Sequence, residues 1–255
     1  MVRRQLFTGL LVTISLIVLL CGVYPLAVWG VGRIAFRSQT DGSLVKVNNK
    51  VVGSALIGQN FTDKDGNPLA QYFQPRPSSA GANGYDSTAS SGSNLGPSNP
   101  NLIGNNIDDP QNNPYRTPAD PFCVPVQATD KNNTAQTDAQ GNPVYQKNPD
   151  GTYVCNPNTV PERVIAYRQL NGLAADASVP VDAVTASGSG LDPDISEANA
   201  LDQAGRVAGA RHLSATQVVD LVHRHTNSRA WGVLGENTVN VLNLNVALDR
   251  LSPSG

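Results

Sequence analysis

The amino-terminal part of the chain contains an uncharged, mostly apolar stretch, Leu10-Leu11-Val12-Thr13-Ile14-Ser15-Leu16-Ile17-Val18-Leu19-Leu20. It lies within 28 residues that carry no charged side chain, between Arg4 and Arg33. A helix of about 20 apolar residues spans the roughly 30 Å hydrocarbon core of a bilayer. The sequence after Arg33 is polar and rich in Gly and Pro, and it contains no second stretch of this kind. We therefore predict one transmembrane anchor in residues 1–35, followed by a soluble part.

A cleaved export signal is the alternative interpretation of this stretch. The apolar core of a signal peptide is about 7–15 residues long and ends at a small-residue cleavage site. Here the apolar sequence continues to Trp29 without an Ala-x-Ala motif. Cys21 does not indicate lipid attachment, because Leu20 before it is larger than the residue that such sites use. Tyr24 and Trp29 fit the aromatic belt of a retained helix, so we favour a single-pass anchor.

Two features indicate the side of the membrane on which the soluble part lies. Arg3 and Arg4 precede the anchor, and basic residues favour the cytoplasmic side. The soluble part holds Cys123 and Cys155, which can pair in an oxidising compartment. Both features predict an extracytoplasmic domain. The formal net charge of −2 and the scattered Lys and Arg residues exclude the basic patch of a nucleic-acid-binding protein.

Composition divides the soluble part into residues 36–104, 105–158 and 159–255. The first segment contains a hairpin and loops rich in Ser, Gly and Asn, and the third contains regular elements. The middle segment has ten Asn and eight Pro among its 54 residues, and it cannot bury enough apolar area to fold alone. A disulfide between Cys123 and Cys155 would close this segment into a loop and stabilise it by roughly 3–4 kcal/mol in the chain-entropy model. It would not give the segment a hydrophobic core. We expect a disordered-like surface insertion that contributes little to assembly.

Two parts of the soluble sequence are predicted to form strands. Residues 44–47 and 51–52 flank Asn48-Asn49-Lys50, and Asn tolerates the left-handed backbone that a tight hairpin turn requires. Residues 239–248 place apolar side chains at alternate positions, which is the period of a strand.

Helix starts are predicted at three places in the last third of the chain. Thr159-x-x-Glu162 and Ser214-x-x-Gln217 are capping boxes, in which the two side chains satisfy first-turn amides. Ser196 can cap a third helix between them. Together with the strands, these helices predict a single α+β domain.

The sequence contains no evident arrangement of residues for catalysis or metal binding. His223 and His225 point to different faces of a predicted helix, so they cannot chelate one metal as an i, i+4 pair would. Ser187-Gly188-Ser189-Gly190 lacks the residue order of a nucleophile elbow. Asp192 and Asp194 precede a helix, where carboxylates commonly bond backbone amides. We therefore expect an anchored interaction domain with no metal site and no catalytic residues of its own.

Six sequence blocks carry a resemblance to a known family. In chain order they are Gly53-Ser-Ala-Leu-Ile-Gly-Gln-Asn-Phe61, Tyr72-Phe73-Gln-Pro-Arg-Pro-Ser78, Ser91-Gly-Ser-Asn-Leu-Gly-Pro-Ser-Asn-Pro100, Val184-Thr-Ala-Ser-Gly-Ser-Gly-Leu-Asp-Pro193, Arg206-Val-Ala-Gly-Ala-Arg211 and Val239-Asn-Val-Leu-Asn-Leu-Asn-Val-Ala-Leu-Asp249. Together with the single anchor, they resemble the C subunit of the Kdp-type potassium-transporting ATPase, a P-type ATPase complex. The chain departs from the family pattern in its insertion, which usually is a short connection, and in Ser91, where a Gly is common.

The resemblance implies a non-catalytic subunit of a complex in the bacterial inner membrane. The implied partners are a channel-like subunit that binds potassium, a pump subunit that hydrolyses ATP and a small accessory membrane peptide. The family's C subunit is described as necessary for assembly and as a catalytic chaperone that raises the ATP affinity of the pump subunit. No cofactor of its own is expected, ATP would be held in a ternary complex with the pump subunit, and potassium is the transported ion. A likeness to the signature loop of ABC ATPases places five residues near nucleotide: Ser90, Ser91, Gly92, Ser93 and Asn94.

Residues 59–99 and 185–192 coincide with the strongest of these blocks and are predicted to form the interaction face of the domain. The candidate residues are Gln59, Asn94, Asn99, Ser187, Ser189, Asp192 and Asp194. Amide and carbonyl oxygens suit a polar subunit interface or an entry funnel for a hydrated cation, to which carboxylates would add negative potential. Three alternatives stay open: loops that are rigid only to complete the fold, an ATP-binding regulator that faces the cytoplasm, and an anchored extracytoplasmic binding protein unrelated to transport.

Overall fold

The computed structural model describes residues 2–104, 113, 123–131 and 133–251. They fall into two compact units, Met1–Leu56 and Ile57–Gly255. Within the predicted insertion, the residues outside the described part are 105–112, 114–122 and 132.

The first unit begins with a continuous helix of 34 residues that is long and apolar enough to cross a membrane. Its parts are α1 (Val2–Ile17), a π-helical turn (Val18–Val23) and α2 (Tyr24–Ala35). The π-helical turn precedes Pro25, which has no N–H group and whose ring crowds the preceding helical turn. The wider turn lets the helix continue, with the Tyr24 N–H donating to the Leu19 carbonyl five residues earlier. The prediction of one N-terminal helix of spanning length is confirmed.

The rest of the first unit contains the predicted hairpin. After α3 (Arg37–Thr40), strands β1 (Leu44–Val47) and β2 (Lys50–Ser54) pair antiparallel. Asn48 and Asn49 have φ angles of 48° and 65°, as both central residues of a two-residue type I′ turn do. The hairpin and its turn residues are therefore confirmed.

The second unit contains helices and one small antiparallel sheet. In chain order its elements are α4 (Pro100–Ile103), α5 (Val160–Asn171), α6 (Val181–Val184), β3 (Asp194–Ser196), α7 (Glu197–Arg211), α8 (Ala215–His225), β4 (Thr226–Asn227), β5 (Thr238–Asn240) and α9 (Val241–Leu251). The strand order is β3-β5-β4, so the α+β class is confirmed. Each predicted helix start is also confirmed: the side chains of Thr159, Ser196 and Ser214 accept first-turn N–H groups.

The strand predicted over residues 239–248 is wrong for most of its length. Only Thr238–Asn240 is a strand, and Val241–Leu251 is helix α9. Its apolar residues satisfy both periods, because Leu244 and Leu248 are also four apart on one helix face. The Asn240 side chain accepts the Asn243 N–H at 3.1 Å, so it caps the helix. This cap was the overlooked signal.

The hydrophobic core lies where α7, α8 and α9 pack around β5. Its largest fully buried apolar side chains are Phe73, Ile195, Val207, Val218, Val222, Val239, Leu244 and Leu248. Each such side chain contributes roughly 1.5–3 kcal/mol when it is fully buried. Phe73 comes from a loop far earlier in the chain, so the core ties that loop to the helices.

The described part of the insertion is closed by a disulfide between Cys123 and Cys155, whose Cα atoms are 5.2 Å apart. The predicted pair is therefore confirmed. Three backbone hydrogen bonds form a closed ring, from Val126 N–H to Val154 O, from Val154 N–H to Gln146 O, and from Gln146 N–H to Val126 O. Most described side chains here are exposed or half-buried. The segment thus satisfies its own backbone groups without a large core.

One five-residue turn recurs along the chain. In each copy the N–H of the first residue donates to the carbonyl of the fifth, at 2.8–2.9 Å, in the pairs Asp63–Asn67, Asp130–Thr134, Asp138–Asn142 and Asn148–Thr152. An antiparallel bridge flanks every copy. The first copy belongs to the folded domain and the other three to the insertion, so both use the same local structure.

Candidate interaction site

A segment outside the helices and strands, residues 69–78, contacts α7 and α9 of the second unit and is bound by side-chain amides. Asn245 of α9 is 1% exposed; it accepts the Phe73 N–H at 2.9 Å and donates to the Phe73 carbonyl at 3.0 Å. Gln203 of α7 accepts the Gln74 N–H at 2.7 Å and donates to the Gln74 carbonyl at 3.1 Å. A side-chain amide has an acceptor oxygen and an NH₂ group that donates. Each of these two side chains therefore satisfies both the N–H and the carbonyl of one residue in the segment, as a neighbouring β-strand would. We call Gln203 and Asn245 the amide clamps.

Two arginines of α7 bind carbonyl groups at the start of the same segment. Arg206 donates to the Tyr72 carbonyl at 2.9 Å, and burial lowers its pKa to about 10. Arg211 donates to the Gln71 carbonyl at 2.7 Å and pairs with Asp249 at 2.6 Å. The segment is therefore fixed before it reaches the loop that follows it.

This segment leads into a loop, residues 78–93, that lies against a second loop, residues 185–194; we call them the paired loops. The Ser78 hydroxyl donates to the Gly190 carbonyl at 2.6 Å. Gly190 has a φ of +66°, and a Cβ there would lie 2.8 Å from the Ala80 nitrogen. Any other residue would be both strained and too large, so glycine is required at this contact.

Ser90 and Ser91, which the family resemblance places near nucleotide, make hydrogen bonds inside the paired loops. The Ser90 hydroxyl donates to the Ser189 carbonyl at 2.9 Å, and the Ser91 hydroxyl donates to the Ser79 carbonyl at 2.9 Å. The first bond joins the two loops, and the second holds the first loop in shape.

The outer side of the paired loops presents small and polar groups. A Cβ on Gly92 would lie 3.0 Å from the Gly188 carbonyl, so Gly92 also makes a close contact between the loops. A Cβ on Gly188 would meet nothing within 4 Å, so that position is open to solvent. Ser93 and Asn94 are exposed, and Asn94 has a φ of 55°.

Both candidate aspartates are bound to neighbouring groups. Asp192 forms an ion pair of 2.9 Å with Arg76, and the Tyr85 hydroxyl donates to its carbonyl at 3.3 Å. Burial and the charge of Asp192 raise the pKa of Tyr85 above its ordinary value. Asp194 accepts from the Asn240 amide at 3.0 Å, which orients the residue that caps α9. The charge of Asp192 is thus balanced by a cation, and Asp194 supports a helix start.

The remaining predicted residues lie in different places. Gln59 follows Gly58, whose N–H donates to the Leu191 carbonyl at 2.9 Å, so Gln59 lies beside the second loop. Ser187 is buried within that loop. Asn99 caps the short helix α4. The structure therefore brings Gln59, Ser187 and the two aspartates together, while Asn99 has a local role.

An open cleft of about 980 Å³ lies between the first part of the second unit and α5. Its polar lining includes Asn60, Lys64, Gln74, Arg76, Arg163 and Tyr167. The Tyr167 hydroxyl donates to Asn199 at 2.9 Å, and burial raises its pKa. Arg163 donates to the Val184 carbonyl at 3.1 Å. These two groups therefore support the fold around the cleft.

Sequence reasoning missed the amide clamps, Arg76 and Tyr85. A signal was present for the clamps, because Gln203 and Asn245 each occupy a core-facing position in a helical pattern of apolar residues. A polar residue at such a position has a buried partner. Nothing local identified the partner, since Phe73 lies 172 residues from Asn245.

One described helix of spanning length, followed by an α+β domain, is the architecture of the class of membrane-anchored proteins with one soluble domain. The family model described as "KdpC: K+-transporting ATPase, c chain" matches residues 6–130 and 134–250, and the chain belongs to this family. The chain is therefore an accessory subunit of a potassium-transporting ATPase complex. This membership decides against an anchored binding protein unrelated to transport.

Curated relatives agree with this assignment. The chain is 44% identical over 249 residues to the Potassium-transporting ATPase KdpC subunit of Mycobacterium tuberculosis (strain ATCC 25618 / H37Rv), covering 98% of this chain and 100% of the relative. It is 40% identical over 254 residues to the KdpC subunit of Kineococcus radiotolerans, covering 98% and 95%. It is 37% identical over 249 residues to that of Gemmatimonas aurantiaca, covering 98% and 94%.

Proposed function

We propose that this chain assembles and stabilises the potassium-transporting ATPase complex through two surfaces, the anchor helix and the paired loops. The observation that carries the proposal is how the paired loops are built. Residues 99 positions apart, Ser90 and Ser189, are joined by a hydroxyl-to-carbonyl bond, and glycine contacts close the rest of the seam. A polar face that is rigid before binding loses little conformational freedom on docking, which favours affinity.

In this proposal the domain lies on the extracytoplasmic side and docks on the channel-like subunit that binds potassium. The pump subunit and a small accessory membrane peptide complete the complex. The Cys123–Cys155 disulfide supports this side, because disulfides persist in oxidising compartments. The ion pair between Arg76 and Asp192 favours an interface over a cation funnel, because a paired carboxylate projects little net field.

The effect on ATP affinity that the family resemblance implies is, in our proposal, indirect. An extracytoplasmic domain cannot reach cytoplasmic ATP, so the chain would act by holding the pump subunit in its assembled state. The internal hydrogen bonds of Ser90 and Ser91 support a structural role for these hydroxyls. ATP itself is then bound by the pump subunit.

Two tryptophan substitutions test the proposed interface. Gly188→Trp adds bulk to the outer side of the paired loops, where a Cβ meets no atom within 4 Å. Gly209→Trp, on the exposed side of α7, also meets no atom within 4 Å and is the matched control. We expect the first variant to reduce recovery of the other subunits in pull-downs at least about tenfold, which corresponds to 1.4 kcal/mol. Equal recovery with both variants would overturn the interface.

The orientation is tested with a cysteine at Gly209 in a Cys21→Ser background. An impermeant thiol reagent should label Gly209→Cys in intact cells. Labelling only after permeabilisation would place the domain in the cytoplasm and reopen direct contact with ATP.

The anchor is tested by exchanging it for a poly-Leu helix of equal length. A Cβ on Gly22 or Gly30 would meet nothing within 4 Å, so neighbouring helices can approach closely there. We expect the exchanged anchor to insert but to recover less of the other subunits. Unchanged recovery would reduce the helix to a tether.

A further inference from the structure

The loop between β4 and β5 carries the most exposed apolar side chain of the described second unit. Trp231 is 89% exposed, and Val233 and Leu234 are 73% and 54% exposed. Residues 230–234 are Ala, Trp, Gly, Val and Leu and contain no charged, amide or hydroxyl side chain; we call them the apolar tip. Contiguous exposed apolar residues mark a surface that meets another phase or another molecule.

The backbone of the apolar tip is closed on itself. The Ala230 N–H donates to the Leu234 carbonyl at 2.9 Å, and the Leu234 N–H returns to the Ala230 carbonyl at 3.0 Å. The Gly232 N–H donates to the Arg229 carbonyl at 3.0 Å, and the Val233 N–H donates to the Ala230 carbonyl at 3.3 Å. Peptide groups without partners are penalised in an apolar medium. Four of the five N–H groups in the tip therefore have partners, which lowers the free-energy cost of moving the tip out of water.

We propose that the apolar tip inserts into the headgroup region of the bilayer that the anchor crosses. Trp favours this region because it has an apolar body and a polar N–H group, and Val233 and Leu234 would lie against the acyl chains. Arg224 and Arg229 are exposed near the base of the loop and can meet lipid phosphates. The anchor and the tip belong to one chain, so insertion would be intramolecular and would need little affinity of its own.

A lipid surface fits these features better than a protein groove. The tip is a short turn that offers apolar side chains, and its one polar side-chain group is the indole N–H of Trp231, which gives little to specify a protein partner. Insertion would give the domain a second point of membrane contact, independent of the paired loops.

The two tryptophans of the chain allow a direct test. Trp29→Phe removes the one in the anchor and leaves Trp231 as the single reporter. The control carries Trp29→Phe, Trp231→Phe and Gly209→Trp. The control position is distant from the loop along α7. Glu197, at the start of α7, accepts a hydrogen bond from the Asn237 side chain next to the loop at 2.9 Å. Gly209 lies twelve residues further along the same helix, which places it about 18 Å from Glu197 at 1.5 Å per residue.

The full chain is reconstituted in vesicles of phosphatidylcholine and phosphatidylglycerol that carry bromine at shallow or deep acyl positions. We expect Trp231 to lose several-fold more emission than the Gly209→Trp control, and more with shallow than with deep bromine. Val233→Ser with Leu234→Ser should reduce that quenching. Equal quenching of Trp231 and the control would overturn the proposal. Protection of Trp231 from acrylamide only in the assembled complex, without quenching by bromine, would also overturn it and assign the tip to a protein partner.

Discussion

Replacing Asn245 with Ala is a direct test of the amide clamps. The Asn245 side chain satisfies both the N–H and the carbonyl of Phe73, and both residues are buried. Ala leaves that donor and that acceptor without their partner. Each unsatisfied buried group costs about 1–3 kcal/mol. Two groups in the lower half of that range give a loss of about 3 kcal/mol in the free energy of unfolding.

This loss is large enough to measure by thermal unfolding of the purified chain in detergent. For a domain of this size, 1 kcal/mol lowers Tm by about 2–4 °C, so we expect Asn245→Ala to lower Tm by about 6–12 °C. Asn243→Ala is the matched control, because Asn243 is on the same helix and only half-buried. We expect that control to change stability by less than about 0.5 kcal/mol. A Tm for Asn245→Ala within about 2 °C of the control would refute the reasoning.

Three further predictions concern other parts of the chain. Gly190→Ala should destabilise the domain by at least about 1–2 kcal/mol, because its backbone is left-handed and its neighbours are close; Gly188→Ala, which meets no atom, should be near neutral in the same Tm measurement. Hydrogen bonds from Asn237 and His223 lower the pKa of Glu197 in the folded chain. The Glu197 carboxylate therefore stabilises the fold at pH values above its ordinary pKa of 4.5, and this stabilisation is lost as the pH falls from 4.5 through the lowered pKa. Glu197→Gln should therefore reduce stability near neutral pH and flatten the acid dependence of denaturant unfolding. Cys123→Ser with Cys155→Ser should remove roughly 3–4 kcal/mol of constraint on the insertion and speed its proteolysis without lowering the Tm of the helical core.

Each of these predictions has a contrary result. Equal Tm values for the two glycine variants would mean that the paired loops can separate without loss. Parallel acid-denaturation curves for Glu197→Gln and the parent chain would show that this carboxylate keeps its ordinary pKa. A lower core Tm after removal of the disulfide would mean that the insertion supports the helices.

Local sequence rules predicted the anchor, the hairpin and the helix starts, because each depends on a few neighbouring residues. The anchor depends on one apolar stretch, the hairpin on Asn48 and Asn49, and the helix starts on single capping side chains. The strand rule failed at residues 241–248, where the same apolar residues fit a strand and a helix. Packing decided that case, together with the cap from Asn240.

The loops that form the candidate site could be predicted from the sequence, but the hydrogen bonds that join them could not. Its loops were identified from family-like blocks and polar composition. The contacts that build it join residues about 100–170 positions apart, such as Ser90 with Ser189 and Phe73 with Asn245. No periodicity within one segment contains that information. The pairing of Asp192 with Arg76 also depends on the fold, and it balances the charge of one of the two carboxylates on which a cation funnel would rely.

The repeated turn of the insertion has a consequence for how this chain can change in length. The Asn156 N–H donates to the Val124 carbonyl at 2.8 Å, so the part of the insertion between these two residues begins and ends at neighbouring points. Whole hairpins can then be gained or lost between these points without moving the residues on either side. A peptide or reporter grafted at the exposed turn around Gly141 should be carried as one more hairpin of the series. The length of the insertion can therefore vary by whole hairpins, while the residues at Val124 and Asn156 keep the same hydrogen bond.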